Sequence, residues 1–312
     1  KQRCDAIVAF GGGSPMDAAK TIALAVANRK HPRKLVGYFK GLRAPVPVYA
    51  VPTTAGTGSE VTVAAVISDP VTNRKLVIAD TRLVPTMAAL DPLLMTGLPP
   101  AVTAATGMDA LTHAVEAFVG RWATAHTDRL ALAAVGIVYT QLRVAYRKPK
   151  DLEAREQMAL AATYAGLAFT RANVGYVHAI AHQLGGRYHT PHGLANAIML
   201  PHVLRFLSPA ITRRLALLAV RAGVGKPGEP PATLAKKFID SVEKLGRDIG
   251  IPAQVDALRE EDIPELAKAA CWEADTNYPV PRYMSPATCA KILRQVLPST
   301  AAPKPARRRS AR

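Results

Sequence analysis

Residues 5–17 read Asp-Ala-Ile-Val-Ala-Phe-Gly-Gly-Gly-Ser-Pro-Met-Asp, and this stretch decides the fold of the first third of the chain. The run over 6–10 is short, apolar and closed by glycines, which is typical of a buried strand. Ser14 is a natural N-cap, Pro15 suits the first helical position, and Asp17 completes a pattern like a capping box. The sequence therefore predicts a strand, a tight glycine turn and a helix.

The glycine turn is suited to an anion. Gly11, Gly12, Gly13 and Ser14 place backbone N–H groups at a helix N-terminus with no Cβ in the way, and a pyrophosphate is the natural ligand there. The run matches neither the G-x-G-x-x-G dinucleotide motif nor the P-loop. Taken alone, it is also what a tight, well-capped turn requires.

A second strand end offers further polar groups. The strand predicted over 46–51 leads into Thr-Thr-Ala-Gly-Thr-Gly-Ser at 53–59, the threonine loop, whose hydroxyls can bind phosphate or ribose. Ligands of open α/β sheets bind at such strand ends, so two strand ends together predict dinucleotide binding. The β-rich runs at 61–68 and 75–79 are separated by turn residues and predict a hairpin.

The chain changes character near residue 98, where strands give way to helices. Periodicity predicts helices over 101–120, 127–147, 151–170, 174–187, 193–207, 210–222, 231–249 and 262–272. We therefore predict a partial α/β dinucleotide-binding domain over 1–98, an all-helical metal-binding and catalytic domain over 99–298, and a basic disordered tail over 299–312.

One predicted helix, 107–119, carries a polar stripe formed by Asp109, His113 and Glu116. Asp109 and His113 stand four residues apart and share a helix face. A solvated face would give the same stripe. The flanking residues are too apolar for comfortable exposure, however, and buried carboxylates need partners or metals.

A second segment holds half of the eight histidines: His178, His182, His189 and His192. His178 and His182 share a helix face, and the glycines at 185–186 end or loosen that helix, so His192 can return near it. His189 is interpreted as incidental. Core histidines bonded to carbonyls are the alternative, but a carboxylate with several imidazoles is a mixed N/O transition-metal set.

Composition narrows the functional classes. The chain has 312 residues, is 49% hydrophobic and carries a formal charge of +17, so it is globular and strongly basic. The basic residues are scattered outside the tail and aromatic residues are few, so we predict no nucleic-acid partner. We interpret the positive charge as a feature that keeps the protein soluble or steers anionic ligands towards it. The widely spaced Cys4, Cys271 and Cys289 suit a reducing compartment, and no apolar run suits a membrane, so a cytoplasmic location is predicted.

These motifs together resemble the iron-containing (group III) alcohol dehydrogenases, whose fold is shared with glycerol dehydrogenase and dehydroquinate synthase. The resemblance runs from about residue 5 to 297 and is carried, in order, by the segments 11–17, 52–62, 107–116 and 178–192. It implies an α/β dinucleotide-binding domain followed by an all-α metal-binding domain, in a homodimer. The family has further βα units ahead of the glycine turn, so the first domain is expected to be truncated, without the part that reads the adenosine ribose.

The resemblance also implies a reaction and the residues that perform it. Hydride would pass between a small primary alcohol or diol and the nicotinamide of NAD or NADP, with the alcohol or aldehyde oxygen polarised by Fe²⁺ or Zn²⁺. The implied metal ligands are Asp109, His113, His178 and His192, with His182 in proton transfer. From its place on the same polar stripe, we expect Glu116 to orient a ligand histidine. The implied cofactor contacts are Gly11, Gly12, Gly13, Ser14, Asp17, Thr53, Thr54, Thr57 and Lys75.

Three other functions stay open from the sequence. A polyol dehydrogenase or a synthase of the same fold would also use a metal and NAD. A catalytically impaired relative would act as a binding protein. A nucleic-acid binder would show affinity that falls steeply with salt.

Overall fold

Two small β-sheets occupy the N-terminal part of the chain. The computed structural model describes residues 4–69 and 74–298. Within these ranges the strands are β1 Ile7–Gly11, β2 Gly37–Tyr38, β3 Val48–Pro52, β4 Ala64–Asp69, β5 Arg74–Ala79 and β6 Met87–Ala88. Helix α1, Gly13–Asn28, follows β1 directly, so the predicted strand, turn and helix are present.

The first sheet places the two predicted ligand loops side by side. Strands β1 and β3 pair in parallel, with Ile7 opposite Val48 and Gly11 opposite Pro52, and β6 lies along the other side of β3. The apolar face of α1 packs on β1 and β3. Since parallel strands end at the same sheet edge, the glycine turn and the threonine loop meet there.

The second sheet contains the predicted hairpin. Strand β4 runs antiparallel to β5, from Ala64 opposite Ala79 to Asp69 opposite Arg74, and β2 pairs in parallel with β5. The connecting residues 70–73 lie outside the described ranges. The sequence pattern does not predict β2 and β6, because two residues carry no periodicity.

The prediction that Ser14 caps α1 is wrong. The helix begins at Gly13, its N-cap is Gly12, and no side chain caps it. Gly11 has φ +147°, a conformation open to glycine, which turns the chain immediately after β1 and starts the helix early. The first turn of α1 therefore keeps its N–H groups free of any side-chain cap, as an anion site requires.

After residue 98 the described chain is helical. The helices are α2 Pro100–Val119, α3 Ala125–Arg147, α4 Leu152–Ala172, α5 Tyr176–Tyr188, α6 His192–Arg221, α7 Pro231–Asp248, α8 Ile263–Asn277 and α9 Pro286–Arg294. Helix α2 packs against α3, α4 and α6, and every residue from Gly107 to Val119 is buried. A Cβ at Gly107 would lie 2.3 Å from Leu142 Cδ1, so glycine allows α3 to approach closely. The polar stripe of α2 is therefore inside the core.

One helical detail agrees with the prediction and one differs from it. The predicted helices 193–207 and 210–222 are the two helical stretches of α6, which meet at a kink where Ile211, two residues after Pro209, has non-helical backbone. Proline interrupts the hydrogen-bond ladder and bends a helix without having to end it. Helix α9 is not predicted from the sequence, because nine residues give a weak periodic signal.

The order of the two parts agrees with the prediction. An α/β part followed by a helical part is confirmed as the fold. The last described strand ends at Ala88 and α2 begins at Pro100, while the domain ranges themselves stay predictions. The tail over 299–312 lies outside the described residues. Among the helices that the structure describes, none combines the length and apolar character needed to span a membrane.

Candidate metal centre

Four side chains from three helices converge at one point. Asp109 and His113 come from α2, His178 from α5 and His192 from the first residue of α6, and one ligand atom from each lies within 4.8 Å of the others. Asp109 Oδ1 is 3.6 Å from His192 Nε2 and 4.0 Å from His178 Nε2. The first three side chains are buried, whereas that of His192 is 41% exposed, so the cluster reaches solvent beside His192.

Glycine allows the N-terminus of α6 to reach the cluster. A Cβ at Gly193 would lie 2.4 Å from the carbonyl oxygen of Ala105, so α6 can begin directly against α2. The ring of Phe169 stacks on His113 with centroids 4.2 Å apart and limits its rotation. Both contacts keep imidazole groups where the cluster needs them.

Glu116 links the start of α5 to the cluster through hydrogen bonds. Its carboxylate accepts hydrogen bonds from the backbone N–H groups of Gly175 at 2.9 Å and Val177 at 2.8 Å. Its Oε2 also lies 2.6 Å from His178 Nδ1, so the His178 ring donates through Nδ1 and turns Nε2 towards Asp109. This is the orientation that metal-binding histidines need, and it agrees with the role predicted for Glu116.

Burial sets the charge state of the cluster. It holds the pKa of His178 well below the usual range and also lowers the pKa of His113, despite the opposing charge of Asp109. Burial raises the pKa of Glu116 to about 7, against the stabilising effect of its backbone donors. Neutral imidazoles with free lone pairs beside a carboxylate match the donor set of Fe²⁺ or Zn²⁺. The residues therefore fit a divalent transition metal.

Asn196 has no predicted role, and the structure places it among these ligand atoms. Its Nδ2 lies 2.7 Å from Asp109 Oδ1, 3.1 Å from His178 Nε2 and 3.2 Å from His192 Nε2. Asn196 follows His192 by four residues on α6, and this helical spacing is the signal that could have found it.

His182 lies beside the cluster and has a partner that sequence reasoning missed. Its ring stacks on that of His192 with centroids 5.3 Å apart, and its Nδ1 is 2.6 Å from Glu273 Oε1. Glu273 also accepts hydrogen bonds from Gln183 and Tyr278, each within 2.7 Å. Glu273 follows its partner by 91 positions, and no local pattern links the two.

The glycine turn and the threonine loop form one surface. Thr53 N–H donates to the carbonyl of Gly11 at 3.0 Å. A Cβ at Gly12 would lie 3.2 Å from Thr54 Oγ1, and one at Gly13 would lie 2.8 Å from Thr57 Cγ2. The glycines therefore let the two loops touch, which brings their predicted cofactor contacts together. Ser14, the next residue, is exposed in the first turn of α1.

Asp17 has a structural task in the described arrangement. Its Oδ1 accepts a hydrogen bond from Ser59 Oγ at 2.7 Å, and its Oδ2 accepts one from Val66 N–H at 3.0 Å. Burial raises its pKa, and the charges of Lys20 and Lys75 oppose that rise. Asp17 thus ties α1 to the threonine loop and to β4.

Two features connect the surface of the glycine turn and threonine loop to the cluster of Asp109 and the three histidines. A Cβ at Gly56 in the threonine loop would lie 2.8 Å from the carbonyl of Thr106 in α2, and the Gly56 backbone lies next to His113. The charge of Lys75, which is exposed on β5, acts on both Asp17 and His192: it opposes the rise that burial causes in the pKa of Asp17, and it adds to the fall that burial causes in the pKa of His192. The threonine loop and Lys75 therefore lie on the side of the α/β part that is next to the carboxylate–imidazole cluster.

The two parts also meet directly. Glu60 Oε1 accepts a hydrogen bond from Thr163 of α4 at 2.7 Å, and Val63 N–H donates to Thr170 Oγ1 at 3.0 Å. Gly58 has φ +62°, and a Cβ there would lie 2.7 Å from Gly166 Cα. The class that the fold and the site define is a two-domain protein in which an α/β domain with a glycine turn suited to an anion packs on a helical domain with a carboxylate–imidazole cluster suited to a metal.

Comparison with known proteins identifies the family. The model of iron-containing alcohol dehydrogenase matches residues 1–92, and the model of the C-terminal part of the Fe-containing alcohol dehydrogenase family matches residues 103–297. A curated 1,3-propanediol dehydrogenase from Klebsiella pneumoniae is 43% identical over 298 residues, which cover 95% of this chain and 76% of that protein. The chain belongs to the iron-containing alcohol dehydrogenase family, which confirms the predicted resemblance and enzyme class.

Solved structures of known proteins agree with this family assignment. A crystal structure of a 1,3-propanediol oxidoreductase matches with a TM-score of 0.91 and 43% identity, covering 95% of this chain and 78% of the other. A sulfoacetaldehyde reductase from Bifidobacterium kashiwanohense, in complex with NAD⁺, matches with a TM-score of 0.85 and 30% identity. The match covers 96% of this chain and 77% of the other. The fold is therefore that of the family.

Proposed function

We propose that this chain is a metal-dependent, NAD(P)-linked alcohol dehydrogenase that transfers hydride between a small primary alcohol or diol and a nicotinamide. The observation that carries the proposal is the convergence of Asp109, His113, His178 and His192, with ligand atoms within 4.8 Å of one another. Family membership supports the reaction class. The relatives named 1,3-propanediol dehydrogenase and oxidoreductase favour a short diol.

The four convergent side chains would hold Fe²⁺ or Zn²⁺. When bound there, the ion would supply a Lewis acid towards an alcohol or aldehyde oxygen. Glu116 keeps the His178 proton on Nδ1, so that Nε2 faces the cluster. Phe169 and the buried surroundings exclude water from the inner side, while the exposed edge at His192 leaves an approach for substrate.

His182 would move the proton. Its Nδ1 hydrogen is held by Glu273 Oε1 at 2.6 Å, which leaves Nε2 as the atom that can accept a proton released on alcohol oxidation. The imidazolium formed would be stabilised by the Glu273 carboxylate. His182 lies against His192, at the edge of the cluster that reaches solvent.

The cofactor would lie across the joined glycine turn and threonine loop. Backbone N–H groups of Gly12, Gly13 and Ser14 at the uncapped start of α1 suit its pyrophosphate. The loop hydroxyls of Thr53, Thr54 and Thr57 and the ammonium of Lys75 would contact the phosphates and the nicotinamide ribose. A relative solved with NAD⁺ favours NAD as the cofactor. A homodimer and a cytoplasmic location complete the proposal.

The experiment is an NAD(P)H absorbance assay on metal-free protein, before and after addition of Fe²⁺ or Zn²⁺. The substrates are primary alcohols, short diols and glycerol. We expect turnover only with metal, on a primary alcohol or diol. A clear preference for glycerol would assign a polyol dehydrogenase instead. Metal and NADH binding without turnover of any substrate would contradict the proposal and leave a binding protein.

A further inference from the structure

Asn196 donates to three ligand atoms at once. The residue is fully buried, and its Nδ2 is within 3.2 Å of Asp109 Oδ1, His178 Nε2 and His192 Nε2. Its own Oδ1 is buried and has no hydrogen-bond partner among the described residues. Only the nitrogen of this amide is engaged, and all its partners are predicted metal ligands.

The chemistry of the three contacts is consistent with a donor at their centre. A carboxylate only accepts, and His178 carries its proton on Nδ1 towards Glu116, so its Nε2 holds a lone pair. An amide nitrogen has two protons. The shortest contact, 2.7 Å to Asp109, takes one of them, and the two imidazoles share the other.

A divalent ion requires the same imidazole lone pairs. Asp109 keeps further lone pairs after it coordinates an ion, so its hydrogen bond from Asn196 can persist. The bonds to His178 and His192 cannot, because each neutral imidazole has a single lone pair. Asn196 would then have an unpaired N–H beside an already unpaired carbonyl, and buried unpaired polar groups destabilise a protein.

We propose that Asn196 competes with the metal ion for the lone pairs of His178 and His192. This positioning residue stabilises the convergent ligand set in metal-free protein and lowers the affinity for the ion, which keeps the ion exchangeable. The inference rests on the proposed metal centre, and it assigns a residue that acts on the ion only through the ligands it contacts.

The test compares Zn²⁺ affinities by competition with a chromophoric chelator, together with melting temperatures of metal-free and Zn²⁺-loaded protein. Removing the donor in Asn196→Ala should tighten Zn²⁺ binding by about tenfold, the worth of one hydrogen bond. It should lower the melting temperature of metal-free protein more than that of loaded protein. Asn196→Leu, which keeps a side chain of similar length but has no donor and no charge, should tighten binding to a similar extent.

The matched control is Leu204→Ala, a buried truncation elsewhere on α6. It should lower both melting temperatures and leave the Zn²⁺ affinity unchanged. Unchanged or weaker Zn²⁺ binding in Asn196→Ala overturns the inference, and Asn196→Leu decides the matter in the same way if the alanine variant does not fold. Wild-type protein that binds neither Zn²⁺ nor Fe²⁺ would instead refute the proposed metal centre.

Discussion

Two buried clusters of charged side chains lie in this molecule, and they are neutralised in different ways. In the α/β part, Asp17 and Glu60 act on the ammonium of Lys20, which is fully buried and donates to the Thr62 and Ala64 carbonyls. In the helical part, Asp109 and Glu116 accept hydrogen bonds from neutral imidazole, amide and backbone donors.

The difference separates a structural cluster from a functional one. The cluster of the α/β part contains its own cation, and it joins α1, the threonine loop and β4 into one body. A cluster of lone pairs from two carboxylates and three imidazoles contains no cation of its own and is suited to one from outside. Substitutions in the helical cluster should therefore change metal binding, whereas substitutions in the cluster of the α/β part should change stability.

The largest expected effect is on the helical cluster. His192→Ala should abolish both metal retention and turnover, because it removes one of the four proposed ligands. The expected loss of metal affinity is at least about a hundredfold. Metal content of purified protein measures it. The control His189→Asn changes an exposed histidine of the same segment, in a left-handed conformation that asparagine tolerates. Wild-type metal stoichiometry in His192→Ala would exclude His192 from the ligand set.

The next effect is on the cluster of the α/β part. Lys20→Met should lower the free energy of unfolding by about 3–5 kcal/mol, since two buried carboxylates lose their cation. Metal content per folded chain should stay at the wild-type level. Chemical denaturation and metal analysis measure the two quantities. The exposed Lys236→Met serves as the control and should change stability by less than about 0.5 kcal/mol. Loss of metal in Lys20→Met would show that the clusters are not independent.

The smallest effect is a pH dependence. Burial lowers the pKa of Lys20 from 10.5 to about 8, despite the charges of Asp17 and Glu60. Between these pH values the unfolded chain binds one more proton at Lys20 than the folded chain, so this group's contribution to stability rises with pH. The stability difference between wild type and Lys20→Met should therefore grow by up to about 1.4 kcal/mol per pH unit from pH 8 to 10.5. A flat difference across this range would mean that the lysine titrates normally.

Local spacing predicted the part of the site that lies on one helix. Asp109, His113 and Glu116 are separated by four and three residues on α2, and the apolar residues around them already indicate burial from the sequence. The same rule paired His178 with His182, and the glycines after them allowed the return of His192. Family resemblance, not spacing, separated His182 from the ligands.

Residue spacing along one helix could not predict contacts between elements that are distant in the sequence. Glu273 meets His182 only because α8 packs on α5, and Glu60 meets Lys20 only because the threonine loop returns over α1. Lys20 stands three residues after Asp17, a spacing that is typical of an exposed helix pair. Its burial depends on β4, which comes later in the chain. Packing of remote segments decides such cases.

The contact between Gly58 and Gly166 bears on how well the enzyme holds its two reactants in line. At this point only hydrogen atoms separate the backbone of the nucleotide-binding half from that of the helical half. A single methyl group at either position would act as a wedge and push the two halves apart. In the proposed reaction, hydride transfer would need its donor and acceptor carbons within about 3.5 Å, so the absence of a side chain at these two positions would keep the cofactor close enough to the substrate.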